Sequence, residues 1–402
     1  MMLSRRAALL GLTGCVGLGG VRLAVAAAPT DRRLVVIILR GALDGMAAVV
    51  PYGDPGLAVL RGEIVPPGPG QPDGVLDLGG FYGLHPALSG LHALYAANQA
   101  LIVHAVAGSY RVRSHFEAQD YLESGADRRM TSGWLNRVVA ALPPSPVPRA
   151  EGEALAVGVS VPLLLRGPAR VANWAPHGFS QPAPELYAAI AALNGDDPVT
   201  GPAIIRGLRD RGFSSAVLAG EEPSKDRPTD RPTDSNAFPA LALAAGEMLR
   251  APGGPRIAAL ELGGWDTHAA QLRRLEAPLQ QLDAGLQALR TGLGPAWAQT
   301  AVLVMTEFGR TARVNGTKGT DHGTGTVAFV LGGAVAGGRV RASWPGLASG
   351  QLFEDRDLAP ATDLRAVARG LLAQHLGLDA AALEQVFPGS AGAGTMAGLI
   401  RA

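Results

Sequence analysis

Five short apolar runs place the strongest limit on what this chain can fold into. The first, "LVVIILR" at residues 34–40, is a continuous run rich in β-branched residues, as is typical of a strand buried on both faces. Gly41 and Asp44 follow it closely, so we expect a central strand that ends in a polar loop. The other runs lie at residues 100–107, 256–262, 301–308 and 326–333.

Helical patterns alternate with these runs, at residues 84–98, 114–125 and about 268–293. The second helix is expected to begin at Ser114 and to stop at Gly125. Alternating strands and helices predict an α/β fold, a three-layer αβα sandwich with a mostly parallel central sheet. In such sheets ligands bind beyond the carboxyl ends of the strands.

The third helix allows two interpretations. Its leucines recur at spacings of three and four residues, which is the pattern of a coiled-coil seam. Pro278 and the short length favour a helix packed against its own sheet instead. The leucines are Leu272, Leu275, Leu279, Leu282, Leu286, Leu289 and Leu293.

The N-terminus predicts a signal peptide at residues 1–28. Arg5 and Arg6 precede an apolar stretch and then small residues, which resembles a twin-arginine export signal, although Ala8 replaces the usual phenylalanine. The twin-arginine export machinery is therefore an expected partner, and the mature protein is expected to be periplasmic or secreted. The alternative is a lipoprotein cleavage box, "LTGC", with Cys15 as the lipidated residue.

Charge and cysteine content exclude several kinds of protein. Removal of residues 1–28 would take away three arginines and leave a small net negative charge, so no nucleic-acid partner is expected. Cys15 is the only cysteine, so any metal in the mature chain would be held by nitrogen and oxygen. After the signal no apolar run reaches the roughly 18 residues of a membrane-spanning helix.

The remaining residues, 29–402, are expected to form one α/β domain with an interruption. Residues 219–237 contain a tandem DRPT and little that could be buried, which predicts an exposed linker. The range of about 145–235 shows few strand signals, so we interpret it as a possible cap or insertion.

The eight histidines divide into two groups by their neighbours. His85, His92, His104 and His375 lie in apolar patterns or at a helix start, and we expect them to be structural. The other group stands beside carboxylates in "SHFE", "GGWDTH" and "TDHG", and its members are His115, His268 and His322.

A metal site is the chemistry that these polar loops favour. In an extended chain Asp266 and His268 point to the same side and could hold one cation, whereas the adjacent Asp321 and His322 point apart. Asp44 would add a carboxylate from the end of the first strand. This set suits Zn²⁺ or Mn²⁺ better than Mg²⁺ or Ca²⁺, with one or two ions. The alternative is that these side chains only cap helices and form turns.

Catalytic groups are also suggested near the second helix. Ser114 is either an N-cap or a nucleophile at a helix N-terminus that can stabilise an anion, and His115 could act as acid or base. Arg111 and Arg113 could clamp an oxyanion or be solvated. Glu307 could support the metal indirectly or pair with Arg310, which lies in the same "TEFGRT" segment.

A phosphate-binding turn is the alternative for "TDHGTGT". Gly323, Gly325 and Ala328 match the G-x-G-x-x-A dinucleotide fingerprint. That fingerprint requires a strand directly before the glycines, whereas the apolar run here comes after them. The spacing therefore gives little support to a dinucleotide site.

Six motifs, in this order, carry a resemblance to a known family: "LRGALDGMAAVVPYGDP", "GLHPAL", "SHFEAQDYLESG", "ELGGWDTHA", "TEFGRT" and "GTDHGTGT". They resemble domain-of-unknown-function family 1501, twin-arginine-exported bacterial proteins of the alkaline phosphatase and sulfatase-like superfamily. The resemblance implies an alkaline phosphatase-like fold with a first-strand aspartate, a nucleophile at a helix start and later Asp and His ligands. By position these are Asp44, Ser114, Asp266, His268, Asp321 and His322.

One position departs from the family, which more often reads DHGHG. Thr324 stands where the second histidine would be. In an extended chain that residue shares a side with His322, so we expect the metal site to be one good ligand poorer.

These observations predict an exported, metal-dependent hydrolase of phosphate or sulfate esters, small or polymeric, without naming the substrate. The alternative from another class is an exported binding or assembly protein that keeps the fold without turnover.

The arginine pair gives a test of export. The apolar stretch is short, so we expect that changing Arg5 and Arg6 together to Lys strands the protein in the cytoplasm, as measured by fractionation and immunoblotting. Cys15→Ala is the matched control and should be processed normally. Unchanged periplasmic yield in the double variant would contradict the twin-arginine interpretation.

Overall fold

The computed structural model describes residues 31–143, 149, 152–175 and 237–401. The signal peptide predicted at residues 1–28 and nearly all of the linker predicted at 219–237 lie outside these ranges. Within them, no helix combines the length and the apolar character that crossing a membrane would need.

Twelve strands form two sheets within the described ranges. The strands are β1 (Arg33–Leu39), β2 (Val49–Val50), β3 (Leu76–Asp77), β4 (Gly83–Leu84), β5 (Ala100–Ala107), β6 (Ala154–Val157), β7 (Val171–Trp174), β8 (Ile257–Leu262), β9 (Thr300–Thr306), β10 (Thr326–Leu331), β11 (Arg339–Arg341) and β12 (Thr362–Asp363). The larger sheet has the order β11-β5-β10-β9-β1-β8-β6-β7, with β12 also pairing with β5, and a small antiparallel sheet has the order β2-β4-β3.

Ten α-helices accompany these strands in the described part of the chain. A π-helical turn, Leu372–Leu376, extends the ninth of them. The helices are α1 (Gly45–Ala48), α2 (Gly56–Arg61), α3 (Ser89–Ala96), α4 (His115–Ser124), α5 (Trp134–Ala141), α6 (Ala237–Arg250), α7 (Gln271–Arg274), α8 (Glu276–Leu293), α9 (Leu364–Leu371) and α10 (Ala380–Val386).

The direction of the strands determines where the loops meet. β10 is antiparallel to both β5 and β9, and the other pairings between described strands of the large sheet are parallel. The loop before β10 therefore lies at the same edge as the carboxyl ends of β1, β5, β8 and β9. The predicted mostly parallel sheet is confirmed.

Alternate residues of the central strand face opposite layers, as the continuous apolar run predicts. Val35, Ile37 and Leu39 pack in one core with helices α3, α6 and α8. Leu34, Val36 and Ile38 pack in the other core with α5, α9 and α10. The predicted three-layer αβα sandwich is confirmed.

The predicted helix from about His268 to Leu293 is present in two pieces. It begins at Gln271, and the boundary at Leu275 separates α7 from α8. The leucines from Leu275 onward are buried in the core below the sheet, whereas Leu272 is exposed. The packed-helix interpretation is therefore confirmed over the coiled-coil one.

Part of the range interpreted as a cap belongs to the main sheet. Residues 154–157 and 171–174 form β6 and β7, which extend the sheet beyond β8 through parallel pairing. "ALAV" is too short to stand out as a strand in sequence, and it is buried because its neighbours cover it. Residues 176–235 of the predicted cap are outside the described ranges.

Helix α4 has the boundaries that the sequence predicts. Ser114 is its N-cap position, and Gly125 ends it in the left-handed conformation with φ 65°, which glycine adopts without strain.

Three of the histidines that we expected to be structural are buried, namely His85, His104 and His375. Burial lowers the pKa of His85, His104 and His375 to about 4, so they are neutral at neutral pH.

Asp44 and Arg61 form an ion pair that is almost entirely removed from water. Their side chains are 1% and 2% exposed. Asp44 also accepts hydrogen bonds from Gln271 Nε2 at 2.6 Å and from the Ala47 amide at 3.2 Å, so it caps helix α1. Arg61 donates in addition to the carbonyl of Ala312 at 2.7 Å. Burial alone would raise the pKa of Asp44, but Arg61 and Gln271 outweigh it and lower the pKa.

Removal of one partner should leave the other as an uncompensated buried charge. We expect Arg61→Met to lower the free energy of unfolding by about 3–5 kcal/mol at neutral pH, measured by urea titration. Because the pKa of Asp44 is lowered, the pair stabilises the fold above the ordinary aspartate range and is lost as pH falls through the lowered value. The difference in the free energy of unfolding between Arg61→Met and the wild type should therefore decrease as the pH is lowered.

Lys318→Met is the matched control, since Lys318 pairs with Glu63 on the surface. Its urea midpoint should equal that of the wild type. An Arg61→Met protein as stable as the wild type would show that the pair contributes no net stability.

Candidate metal site

Three separate segments bring their polar residues together at the carboxyl edge of the sheet. His115 begins α4, which follows β5. Asp266 and His268 follow β8, and His322 lies in the loop before β10. Because these segments converge only through the sheet topology, the histidine cluster, defined as His115, His268, His322 and Asp266, is a product of the fold.

The members of the histidine cluster face one another through the same kind of atom. His322 Nε2 lies 2.9 Å from His115 Nε2 and 2.9 Å from His268 Nε2. Asp266 Oδ1 lies 2.9 Å from His268 Nε2, 3.4 Å from His322 Nε2 and 3.6 Å from His115 Nε2. His322 Nε2 and Asp266 Oδ1 therefore each lie within 3.6 Å of Nε2 of both His115 and His268.

The far nitrogen of each ring is held by an acceptor. His115 Nδ1 donates to Glu307 Oε1 at 2.8 Å, and His268 Nδ1 donates to Asp321 Oδ1 at 3.1 Å. A carboxylate oxygen can only accept, so a neutral His115 ring carries its proton on Nδ1, whereas His268 has a carboxylate oxygen at each of its two nitrogens. His322 Nδ1 donates to the backbone carbonyl of Arg113 at 3.1 Å.

A neutral ring that donates from Nδ1 to these acceptors presents a bare lone pair at Nε2. Three lone pairs and a carboxylate oxygen at these separations repel one another unless a cation lies among them. Burial, His115 and Arg310 lower the pKa of His322, which disfavours a second proton on that ring. Histidines that bind metal through one nitrogen and donate the other to an acceptor are the usual arrangement of protein metal sites. The residues fit a metal ion.

Asp266 is oriented by Arg310. The guanidinium of Arg310 is fully buried and donates to Asp266 Oδ1, and also to the carbonyls of Gly41 at 2.7 Å and Thr320 at 3.0 Å. Burial tends to raise the pKa of Asp266, but the hydrogen bond and charge of Arg310 lower it overall. Asp266 is thus ionised and available at the cluster.

Glu307 and Asp321 stand behind histidines. Buried Glu307 also accepts from the Gly41 amide at 2.9 Å, and its pKa is lowered because hydrogen bonds, chiefly from His115, outweigh burial. A hydrogen bond from Asn315 Nδ2 at 3.0 Å is the largest cause of the lowered pKa of Asp321. Glu307 therefore contacts His115, and Arg310 pairs with Asp266 and not with Glu307.

Asp44 is not brought into the histidine cluster. Its carboxylate is occupied by Arg61, Gln271 and the first turn of α1. No hydrogen bond or ion pair within the described ranges joins it to a cluster histidine. The group of possible ligands that the structure brings together is His115, Asp266 and His322, whose ligand atoms all lie within 4.8 Å of one another.

The other residues singled out near α4 have different surroundings. Ser114 makes no capping hydrogen bond with its side chain, and its hydroxyl contacts that of Tyr110. Arg111 donates to the backbone carbonyls of Gly108 and Tyr110, so its guanidinium is held within its own loop. His115, anticipated as an acid or base, has both ring nitrogens engaged and faces the cluster as a ligand would.

Thr324 corrects an expectation from sequence. Its hydroxyl donates to Asp357 Oδ2 at 2.9 Å, and the side chain is buried. It therefore faces Asp357 and shows no hydrogen bond to the cluster. Alternation in an extended chain fails here because the chain bends at Thr324.

Two supporting residues were missed by sequence reasoning. Asn315 anchors Asp321, and Asp357 binds both Thr324 and the guanidinium of Arg113 at 2.8 Å. Asp357 sits in "FEDRDLAP", where charged neighbours predict an exposed loop, so no sequence signal marks it as buried.

The chain matches the family described as "Protein of unknown function (DUF1501)" over residues 108–387. Among curated proteins no sequence matches it. It is similar in structure to the phosphonate monoester hydrolase of Agrobacterium radiobacter, at 10% identity and a TM-score of 0.41, covering 87% of this chain and 74% of that one.

Two further solved structures show lower TM-scores. The C-terminal periplasmic domain of EcEptC from Escherichia coli, in complex with Zn, has 9% identity and a TM-score of 0.31 over 75% of this chain and 73% of that one. A 2-O GAG sulfatase has 13% identity and a TM-score of 0.30 over 75% of this chain. The chain covers 64% of the sulfatase, which is less than two thirds of its length.

Metal content tests the histidine cluster directly. We expect His322→Gln and Asp266→Asn to lose most of the Zn²⁺ that the wild type retains after dialysis, measured by inductively coupled plasma mass spectrometry, because each removes one of the converging ligand atoms. His92→Gln is the matched control, since His92 lies on α3 and contacts the Asp77 carbonyl. Circular dichroism should be unchanged in all three. Wild-type zinc content in both cluster variants would refute the site.

Proposed function

This chain belongs to the DUF1501 family, and we propose that it is a metal-dependent hydrolase of phosphate or sulfate esters. The observation that carries the proposal is the convergence of three imidazole Nε2 atoms and one carboxylate oxygen. A nucleophile candidate, Ser114, directly precedes one of these histidines at a helix N-terminus.

The ligand set favours Zn²⁺ or Mn²⁺. Imidazole nitrogen suits these ions, whereas Mg²⁺ and Ca²⁺ prefer sets made of oxygen. His115, His268, His322 and Asp266 would hold one ion, with Glu307 and Asp321 fixing two of the rings from behind. When bound, the ion would supply positive charge that neutralises the phosphoryl or sulfuryl group.

The residues of α4 would supply the remaining chemistry. The N–H groups of its first turn lack a side-chain cap and could stabilise an anionic group beside Ser114. Ser114 Oγ would form a bond to phosphorus or sulfur as the bond to the ester oxygen breaks, and the serine proton would pass to the departing alcohol. Water would later release the group as inorganic phosphate or sulfate. Burial and Glu117 raise the pKa of Tyr110 to about 12, so the Tyr110 hydroxyl stays protonated beside Ser114.

Export belongs to the same proposal. We propose that residues 1–28 are a twin-arginine signal and that the enzyme acts in the periplasm or outside the cell. The twin-arginine machinery carries folded proteins, so a metal ion could be bound before export. Lipidation at Cys15 remains the alternative, and it would anchor the protein to a membrane.

One observation favours a second candidate function, a binding protein without turnover. The carboxylate of Asp44, which follows the first strand, is fully engaged by Arg61 and Gln271. Within the part of the chain that the structure describes, Ser114 forms no hydrogen bond to a base. Such a protein would keep the ion in the histidine cluster as a structural or recognition element.

Turnover separates the two candidates. We expect the zinc- or manganese-loaded protein to hydrolyse at least one member of a panel of aryl phosphates, phosphonate monoesters and sulfate esters, and Ser114→Ala to abolish that activity. Because Ser114 makes no capping bond, the variant should retain its metal and lose less than about 1 kcal/mol of stability. Full activity in Ser114→Ala would exclude the nucleophile. Tight metal binding with no hydrolysis of any ester would favour the binding protein.

A further inference from the structure

Asp357 is a fully buried carboxylate outside the histidine cluster. Its side chain is 0% exposed, although it lies in a loop rich in charged residues. A carboxylate removed from water must be satisfied by charged or hydrogen-bonding partners. Arg113 supplies two of them, since both Nε and Nη2 lie 2.8 Å from Asp357 Oδ2. The Thr324 hydroxyl supplies a third at 2.9 Å.

Both of these partners, Arg113 and Thr324, are linked to His322. The backbone carbonyl of Arg113 accepts the hydrogen bond from His322 Nδ1, and Thr324 follows His322 by two residues. Asp357 therefore holds Arg113, whose carbonyl accepts from His322 Nδ1. Through Thr324 it also holds the loop that carries His322. No direct contact between Asp357 and His322 is needed for this effect.

Arg113 has an unusual backbone conformation that its contact with Asp357 helps to maintain. Its φ is 65°, in the left-handed region that a long side chain rarely adopts. A strained conformation persists where surrounding contacts hold it, and here the guanidinium is bound by Asp357 and stacked over Phe353 at 6.0 Å. Released from Asp357, Arg113 would relax, and its carbonyl would turn away from His322.

The chemical consequence concerns one proton. With the Arg113 carbonyl in place, the neutral ring of His322 carries its proton on Nδ1 and presents a lone pair at Nε2. Without that acceptor the proton is free to reside on Nε2, where it would point into the cluster. A protonated Nε2 cannot bind a metal ion.

We propose that Asp357 is a positioning residue for His322, acting through Arg113 and Thr324 to set its tautomer and hence the metal affinity of the histidine cluster. The proposal rests on the proposed metal site and adds a determinant of its affinity. A carboxylate that touches neither metal nor ligand thereby controls whether the third imidazole can bind.

The chain offers a matched control. Glu354 also pairs with the guanidinium of Arg113, but its side chain is 57% exposed and it makes no contact with Thr324 among the bonds described. Glu354→Gln removes the same type of charge from the same arginine. If the loss of any carboxylate paired with Arg113 were sufficient, Glu354→Gln and Asp357→Asn would change the His322 tautomer and the zinc affinity equally.

The first measurement is the tautomer in the metal-free protein. In full-length purified protein labelled with ¹⁵N-histidine, two-bond proton–nitrogen spectra should show His322 protonated on Nδ1 in the wild type and in Glu354→Gln. In Asp357→Asn the His322 signals should shift to the Nε2-protonated form or to a mixture, while His115 and His268 keep theirs. A general loss of structure would move all three rings together.

The second measurement is zinc affinity by competition with a chelator. We expect Asp357→Asn to weaken Zn²⁺ binding by about tenfold or more, as for residues that orient metal-binding histidines, and Glu354→Gln to stay within about twofold of the wild type. Thr324→Val, which keeps the shape and removes one hydroxyl, should fall between them. It also replaces Asp357→Asn if that variant does not fold, and His322 should then show a partial tautomer shift.

The two readouts keep the proposals separate. A wild type that binds no zinc would refute the proposed metal function, but the tautomer spectra would still test Asp357. An unchanged His322 tautomer and wild-type zinc affinity in folded Asp357→Asn, or in Thr324→Val if the first variant does not fold, would overturn the positioning role.

Discussion

The arrangement at the carboxyl edge of the sheet depends on the satisfaction of one buried carboxylate. Asp44 cannot remain ionised without its partners, and these come from different segments of the chain. Arg61 ends α2 and also holds the carbonyls of Thr311 and Ala312, whereas Gln271 begins α7. Gln271 in turn accepts from the Thr320 hydroxyl at 2.6 Å. The loops that carry His268 and His322 are thus tied to the first strand before any ligand is considered.

In the histidine cluster, the atoms that face one another and the groups that hold the rings in place belong to different residues. The atoms that face one another would repel in isolation, so the stability of the arrangement rests on the acceptors behind the rings. Glu307, Asp321 and the Arg113 carbonyl lie at Nδ1 of the three rings, and buried Arg310 holds the carboxylate. The acceptors that orient the rings would therefore also influence metal affinity.

Sequence patterns predicted the sandwich because burial on both faces leaves a visible apolar run, and they marked the cluster residues because acids and histidines are conspicuous in glycine-rich loops. They could not predict the direction of β10, since alternation is the same in both directions. The role of Asp44 was equally hidden. An aspartate after a strand has the same local sequence whether it faces a ligand or an arginine 17 residues away. Asp357 was missed because burial of a charge depends on tertiary contacts alone.

The glycines of the site loop serve closeness of the backbone. At Gly323 a Cβ atom would clash with the main chain of Arg310, and at Gly325 it would lie 2.5 Å from the Leu358 carbonyl oxygen. Main chain therefore packs against main chain beneath the histidines, and no side-chain rearrangement can relieve an added methyl group. Even alanine at either position would therefore have to displace the backbone of the loop that carries His322.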